Sequence, residues 1–524
     1  ITTPESLAIM LMSYKFYDNL QTVEWLVVDE IHALAENKRG VHLNLLMEHI
    51  QHLSPDLCRI GLSATVEPIE EVAKYLVGKD KKCKIAKVNF KKKFDLKVLS
   101  PVDDLINVSY EKYSDKLYKM LDELIGEHKT TLIFTNTRAG TERVVYNLKN
   151  RFPKKYSDNI GAHHGSLSKE NRHELENRLK NGEMKCVVCS TSLELGIDIG
   201  SIDLVISLGS PKGVARFLQR SGRAGHSMGE TVKGRLIVTD RDDLIESSVL
   251  LKSAIEKKID RIHIPENALD VLAQVMHSMA ISKVWNIDEM YKVITSSYCY
   301  RNLEYGDFME IIKYLSGEYF ELEDRNIYAK IWYNEESREV GKKGKMSRVI
   351  NMTNVGTIPD QTGVKVKIKD LVIGVIDEGF LEKLKRGDIF VIGGNTYQFL
   401  FSRGMTVQVK SAAGKSPTIP AWFSEMLPLS FDLAMEIQRF RKLMDERFKL
   451  KAPRKEIMEF VNNYLYVDDN AANAIYKYFK EQYLYSSFPH QNKITVEYFN
   501  DEEGKKYIIF HTLYGRRVND VLSR

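Results

Sequence analysis

The sequence predicts an α/β protein, with two successive parallel-sheet units followed by a helical module, a β-rich region and a mixed C-terminal region. Three observations carry this. Short apolar runs rich in β-branched residues, such as Trp25-Leu26-Val27-Val28 and Thr130-Thr131-Leu132-Ile133-Phe134, read as buried strands that end in polar or charged residues. Helical patterns alternate with these runs as far as about residue 262, as expected for parallel strands joined by crossover helices. Beyond that point the alternation stops and short β-rich runs separated by Gly and Asn turns appear.

Length and composition allow several cores. The chain has 524 residues, with 43% apolar and 28% charged side chains, so three to four domains are expected. The net charge of +5, from 76 basic and 71 acidic residues, permits local basic grooves but does not by itself mark a nucleic-acid binder. Five cysteines without framework spacing suit a reducing compartment. Cys186 and Cys189 lie on one predicted strand, where residues three apart point to opposite faces, so they are read as core. No signal peptide or membrane-spanning run is found, and a cytoplasmic protein is expected, nucleoid-associated if prokaryotic. The chain opens on Ile1 and closes on a helical pattern at Arg524, so it reads as a fragment at both ends.

In the first unit, Ile1 to Leu7 is a strand end followed by Pro4 at a first helical position, where hydroxyl and amide groups can meet a phosphate backbone. The strand at Trp25 delivers Asp29 and Glu30 at its carboxyl end, the side on which open α/β sheets bind ligands. One carboxylate can hold a metal on a phosphate while its neighbour takes a proton from an attacking water, which is the Walker B pattern. A solvated strand end would look the same in isolation. A helix is predicted from about Val41 to Leu53, and the next strand ends in Ser63-Ala64-Thr65. Small hydroxyl residues there can bond a neighbouring side chain, with His32 as the partner, although His32 alone could be an ordinary helix-start histidine.

The second unit brings the strand and polar turn Thr130 to Arg138, the strand end Ile160 to Ser166, and Cys186 to Ser192 followed by Leu193 to Asp198. It culminates in Gln219-Arg220-Ser221-Gly222-Arg223-Ala224-Gly225-His226. Two arginines three apart share a helix face, and paired guanidinium groups suit a γ-phosphate during transfer. A solvated helix face is the alternative. The pair His163-His164 has no third ligand at useful spacing and is not read as a metal site.

Taken together, TTPESL, VVDEIH, LSAT, IFTNTR, HHGS, STSLELGID and QRSGRAGH follow the order of the superfamily 2 helicase motifs. DEIHALAENKRGVHL, RIGLSATVEPIEEVAKYLVG and the block from SLELGIDIG to QRSGRAGH more narrowly resemble the large-helicase-related (Lhr) family. The strong resemblance covers residues 1 to about 262. It implies two RecA-like lobes that use ATP and Mg2+, translocation along single-stranded DNA with 3′ to 5′ polarity, and unwinding of DNA duplexes or RNA–DNA hybrids. It further implies that Asp29 and Glu30 bind magnesium, partly through water, and that Glu30 activates the attacking water. By the same resemblance His32, Ser63 and Thr65 couple nucleotide state to domain movement, and Gly196 and Asp198 meet the ribose. Gln219, Arg220 and Arg223 would face the phosphates, and Thr3, Thr137 and Thr191 would contact the nucleic-acid backbone. His226 stands where many helicases carry a third arginine.

The phosphate-cradling G-x-x-x-x-G-K-[ST] loop is missing upstream of Asp29. Ala413-Gly414-Lys415-Ser416 imitates its end, but the required first glycine is Val409, and Pro417 stops the helix. The chain as it stands is therefore expected not to hydrolyse ATP, whereas the intact protein would. The compact stretch from Ser201 to Leu218 leaves little room for the strand-separating hairpin of Ski2-like repair helicases.

The domain expectation runs as follows: residues 1–92, the C-terminal part of a first lobe; 93–262, a second lobe; 263–326, a winged-helix-like module; 327–430, a β-barrel-like region; 431–524, a helical and mixed end. The β-rich region is predicted to start with the run from Tyr328 to Tyr333 and to hold the basic loop Gly341 to Lys345, either a solvated turn or a phosphate contact. Pro420-Ala421-Trp422-Phe423 resembles an Lhr segment in which tryptophan stacks on a base, so Trp422 is a candidate contact, with core packing against Phe423 as the alternative. The expected function is an Lhr-type helicase. A Ski2-like repair or RNA helicase and a non-hydrolysing nucleic-acid clamp or annealing protein are the competing possibilities.

Overall fold

The computed structural model describes residues 1–87, 93–194, 196, 198–225, 231–318, 329–357, 363–393, 395–412, 415, 417 and 427–523. In chain order, strands β1 (Trp25–Val28) and β2 (Cys58–Gly61) pair in parallel, Trp25 opposite Cys58 and Val28 opposite Gly61. The helix Lys38–Leu53 between them starts at Asn37, whose side chain accepts the Gly40 N–H at 3.1 Å. Val28 is buried, whereas Trp25 and Val27, expected to be buried, are 61% and 56% exposed in the chain described.

Six strands follow: β3 (Lys93–Leu99), β4 (Thr131–Thr135), β5 (Ile160–His163), β6 (Cys186–Cys189), β7 (Leu204–Leu208) and β8 (Thr231–Ile237). They form one parallel sheet in the order β3-β8-β7-β4-β6-β5. Every residue of β4 and β6 is buried, as the continuous apolar runs require. Cys186 packs into the core on one face of the sheet and Cys189 into the core on the other.

Helix Leu269–Ser282, strand β9 (Trp285–Asn286), helices Ile287–Ser296 and Tyr305–Ser316, and strands β10 (Ile331–Asn334) and β11 (Glu339–Lys342) make a winged helix, with antiparallel sheet order β10-β11-β9. The run ending at Tyr333 and the first residues of the basic loop, predicted to open the β-rich region, are therefore wing strands. Their partner β9 is two residues long, too short to announce itself in a sequence pattern.

Five strands then curl into one sheet: β12 (Gly363–Ile368), β13 (Leu371–Asp377), β14 (Ile389–Ile392), β15 (Asn395–Ser402) and β16 (Thr406–Ser411). Their order is β13-β12-β16-β15-β14, with β12 and β16 parallel and the other pairs antiparallel. Helices Phe431–Lys449, Arg454–Leu465 and Asp469–Tyr485 come next, then the hairpin β17 (Thr495–Asn500) and β18 (Lys506–His511).

The chain divides into two compact units, each made of two separate stretches: residues 1–89 with 261–360, and residues 90–260 with 361–524. In the first unit a single apolar core runs from the lobe through the winged helix, from Leu7 and Val28 to Trp285 and Phe308. Two buried polar side chains of helix Lys38–Leu53, Asn44 and Glu48, are satisfied from both sides. Asn44 donates to the Tyr75 carbonyl at 2.7 Å and accepts the Cys299 N–H at 3.0 Å. Glu48 pairs with Arg59 at 2.6 Å and accepts the Ser296 hydroxyl at 3.2 Å. In the second unit the C-terminal helices share a core with helix Arg241–Ile255. The curled sheet gathers its own core around Leu167.

Candidate nucleotide and nucleic-acid site

At the end of β1 the chain turns sharply. Glu30 adopts the left-handed conformation, φ 48° and ψ 41°, which is uncommon and costly outside glycine. Asp29 is exposed, and its Oδ1 accepts the Glu30 N–H at 2.9 Å. Two backbone bonds stitch this turn to the end of β2: Ile31 N–H to Leu62 O at 3.0 Å, and Leu62 N–H to Val28 O at 2.9 Å. They bring His32 against the Ser63-Ala64 turn. The Ala64 N–H donates to His32 Nδ1 at 3.3 Å, and Ser63 Oγ lies 3.2 Å from the same nitrogen. A backbone N–H can only donate, so Nδ1 is the acceptor and the proton sits on Nε2, which points to Glu30 Oε2 at 3.5 Å. Burial lowers the pKa of His32, while Glu30 and Asp29 pull it upward. A neutral imidazole thus links Glu30 to the Ser63 turn. Thr65 lies exposed two residues further on. Thr3 caps helix Pro4–Leu11, its Oγ1 accepting the Ser6 N–H at 3.3 Å.

In the second lobe Thr137 and Thr191 lie just beyond the carboxyl ends of β4 and β6. Thr137 follows β4 and caps helix Arg138–Arg151, its Oγ1 accepting the Gly140 N–H at 2.9 Å. A Cβ at Gly140 would stand 3.0 Å from that oxygen, a tight approach that glycine avoids. Thr191 is exposed just beyond β6. Gly196 has φ +53°, and Asp198 is exposed and ion-paired with Lys180 at 2.6 Å. Gln219 and Arg223 are half-buried, Arg223 donating from Nε to the Glu194 carbonyl at 3.2 Å.

Arg220 departs from expectation. It is 0% exposed, with Nε 3.2 Å from Glu194 Oε2, Nη1 3.3 Å from Asn136 Oδ1, and the guanidinium 5.0 Å from the centre of the Phe134 ring. Burial presses its pKa below the usual arginine value against the opposing pull of Glu194. Nε and Nη1 thus hold three motif segments together, while Nη2 is buried without a hydrogen-bond partner among the described residues. The spacing of Arg220 and Arg223 fixes their common helix face but not whether that face looks inward. Trp422 and His226 lie outside the described residues.

Several residues escaped the sequence reading. Glu194 and Asn136 sit inside recognised motifs, but nothing in their spacing reveals that they meet at Arg220. The turn His163-His164-Gly165-Ser166 is a junction. His163 bonds Ser192 Oγ through Nδ1 at 2.7 Å and Glu176 through Nε2 at 2.9 Å. His164 Nε2 lies 2.7 Å from buried Glu142, which also accepts the Gly393 N–H from the curled sheet. Ser166 receives Arg138 at its hydroxyl, 2.9 Å, and the Val375 N–H at its carbonyl, 2.6 Å. One short turn therefore ties the segments bearing Thr137 and Thr191 to the curled sheet. The carboxylate partners stand 13 and 22 residues away, beyond the reach of any local pattern.

The fold and these motif-bearing turns belong to the DEAD/DEAH class of helicase proteins. Family models match residues 1–72 (DEAD/DEAH box helicase) and 114–227 (helicase conserved C-terminal domain). Further models match residues 252–419 (large helicase-related protein, winged helix domain) and 488–524 (DEAD/H associated). The chain belongs to the Lhr family. It is 56% identical to the ATP-dependent helicase Lhr-Core of Methanothermobacter thermautotrophicus, over 100% of this chain and 61% of that protein. It is 29% identical to the Escherichia coli Lhr helicase/uracil glycosylase, over 99% of this chain and 36% of that protein. The chain thus spans about 61% of the length of its similar archaeal relatives. Among solved structures, Mycobacterium smegmatis helicase Lhr bound to ssDNA and AMP-PNP superposes with a TM-score of 0.78 at 29% identity, covering 100% of this chain and 63% of that one. The helicase MrfA bound to DNA shares the fold at 18% identity, with a TM-score of 0.60 over 78% of this chain and 56% of that one. No helix among the described residues is long and apolar enough to cross a membrane.

Proposed function

We propose that the chain carries core motor segments of an ATP-dependent, Lhr-type helicase. It would move 3′ to 5′ on single-stranded DNA and unwind DNA duplexes or RNA–DNA hybrids. The observation that carries this proposal is the neutral His32 bridge between Glu30 and the Ser63 turn, since it supplies a contact that senses the state of a hydrolytic carboxylate. The nucleotide and strand bound in the mycobacterial relative support the same ligands here.

Glu30 takes the proton of the attacking water, and Asp29 would hold a Mg2+ ion, partly through water. Such an ion would supply positive charge against the charge that develops on the phosphates. The residues fit such an ion. Asp29 is an exposed carboxylate at the end of β1, and Mg2+ is commonly held by one or two carboxylates plus substrate phosphates. Gly196 and Asp198 are assigned to the ribose, and Gln219 and Arg223 to the phosphates. Arg220 holds the motif segments in place. Thr3, Thr137 and Thr191 are assigned to the nucleic-acid backbone, and Trp422 to a stacked base.

The test is single-strand-stimulated ATPase of the full-length protein against its Glu30→Gln variant. A fall of about 10²-fold or more is expected when a general base is removed. Equal rates overturn the mechanism. Duplexes with a 3′ or a 5′ tail, in DNA and as RNA–DNA hybrids, decide polarity and substrate.

A further inference from the structure

The curled sheet β12–β16 turns one face inward, where Val364, Val366, Val407 and Val409 are buried. Its other face is basic along β12 and β16, with Val375 and Val372 of β13 opposite the two β12 lysines. On β12 it carries Lys365 and Lys367, and on β16 Gln408 and Lys410. The register sets these side chains in adjacent rows, with Lys367 opposite Gln408, and Lys410 opposite Gln398 of β15. Lys365, Lys367 and Lys410 have no acidic partner among the described residues.

One aromatic ring stands on this face. Along β15 Phe399 points inward against Val409, and two residues later an unbroken strand would turn Phe401 inward as well. The β15–β16 register shifts between Phe399 and Phe401. This bulge pairs Phe401 with the outward residue Gln408 and leaves the ring 55% exposed. Bulges re-aim side chains in this way. A lone exposed phenylalanine needs no explanation. Here the extra residue of the bulge turns the ring outward, and the ring lies about 10 Å from Lys367, one strand away on each side of Gln408.

We propose that this outer sheet face is a binding platform for single-stranded nucleic acid, with a base stacked on Phe401 and phosphates held by Lys365, Lys367 and Lys410. Unpaired bases offer the π-faces that an exposed ring can stack, and lysines track the backbone without reading sequence. The inference rests on the proposal that the protein acts on nucleic acid, and it adds a site apart from Thr3, Thr137, Thr191 and Trp422. A strand on this face bears directly on the lobe, through the bonds from Gly393 to Glu142 and from Val375 to Ser166.

The test measures binding of the chain to a fluorescent oligothymidylate at several salt concentrations. The Lys365→Ala/Lys367→Ala/Lys410→Ala variant should bind at least tenfold more weakly. Its slope of log affinity against log salt should flatten by about 2, at about 0.7 for each single-strand phosphate contact. Phe401→Ala should lose about tenfold and Phe401→Tyr little. Phe401→Trp should be quenched by the oligonucleotide, which keeps the test decisive even if the triple variant fails to fold. Wild-type affinity and slope in the lysine and Phe401→Ala variants overturn the platform. If Thr137→Ala and Thr191→Ala weaken binding under those same conditions, the motor proposal survives alone. If the wild-type chain binds no oligonucleotide, both fall.

Discussion

Replacing Arg220 by methionine separates a scaffold arginine from a phosphate-binding one. The substitution keeps the bulk of the side chain beside Phe134 but removes the charge opposite Glu194, which is itself buried. Taking one partner from a buried ion pair costs about 3–5 kcal/mol, because the remaining charge is left uncompensated. Glu194 keeps Arg216 at 3.4 Å, and Arg216 is partly solvated, so the lower end, about 3 kcal/mol, applies. That corresponds to a melting point lower by roughly 6 °C. Arg223→Met removes a bond to a backbone carbonyl from a half-buried side chain and should cost about 1 kcal/mol. In scanning calorimetry Arg220→Met should therefore melt well below wild type and Arg223→Met close to it, while Arg223→Met abolishes ATPase in the full-length protein. Adding Glu194→Gln to Arg220→Met neutralises the stranded acid and should restore part of the loss. A wild-type melting point for Arg220→Met, or no recovery in the double variant, refutes the scaffold assignment.

Two further outcomes are expected. Burial lowers the pKa of His49 to about 3 and of His42 and His277 to about 4, with Lys283 and His52 adding to the effect at His49, Arg39 at His42 and Lys330 at His277, and Glu5 opposing at His42. Their unfolded values lie near 6.5, so the unfolded chain takes up protons first as pH falls. The stability they contribute is whole above about pH 6.5 and shrinks towards pH 4, by about 2 kcal/mol for each at pH 5. All three lie in the first unit, as do Trp25, Trp285 and Trp332, so urea midpoints followed by tryptophan fluorescence should drop between pH 7.5 and pH 5. A flat profile counts against the buried neutral state. Glu142→Ala should raise amide exchange in β12–β16 by about 10- to 100-fold, from charge-assisted bonds worth about 1.5–3 kcal/mol, while β4 and β6 stay protected. Unchanged exchange would mean that the sheet is held by other contacts.

The parallel sheet of the second lobe was legible because its central strands are buried on both faces, so their apolar runs carry no ambiguity. Trp25 and Val27 read as core in the same way but are exposed in this chain. The winged helix was visible as three helices. Its sheet was not, because β11 finds its partner β9 some 53 residues upstream, as in the pairing of Glu339 with Asn286. In the site, Asp29, Glu30, His32 and Ser63 could be placed together because each ends or follows a strand of one sheet. The burial of Arg220 and the junction at His163–Ser166 depend on side chains converging from separate helices and strands, which periodicity does not encode.

The interleaving of the two units also sets an order of assembly. Residues 1–89 and 261–360 share one core, yet the whole of residues 90–260 is made between them. On a ribosome the six-stranded sheet can close as soon as β8 emerges, whereas the first lobe must hold its apolar surface open until the winged helix follows. At about 5–20 residues per second, that wait is roughly ten to thirty seconds. The core shared by the winged helix and residues 1–89 thus makes that lobe close later than the six-stranded sheet that follows it in the chain.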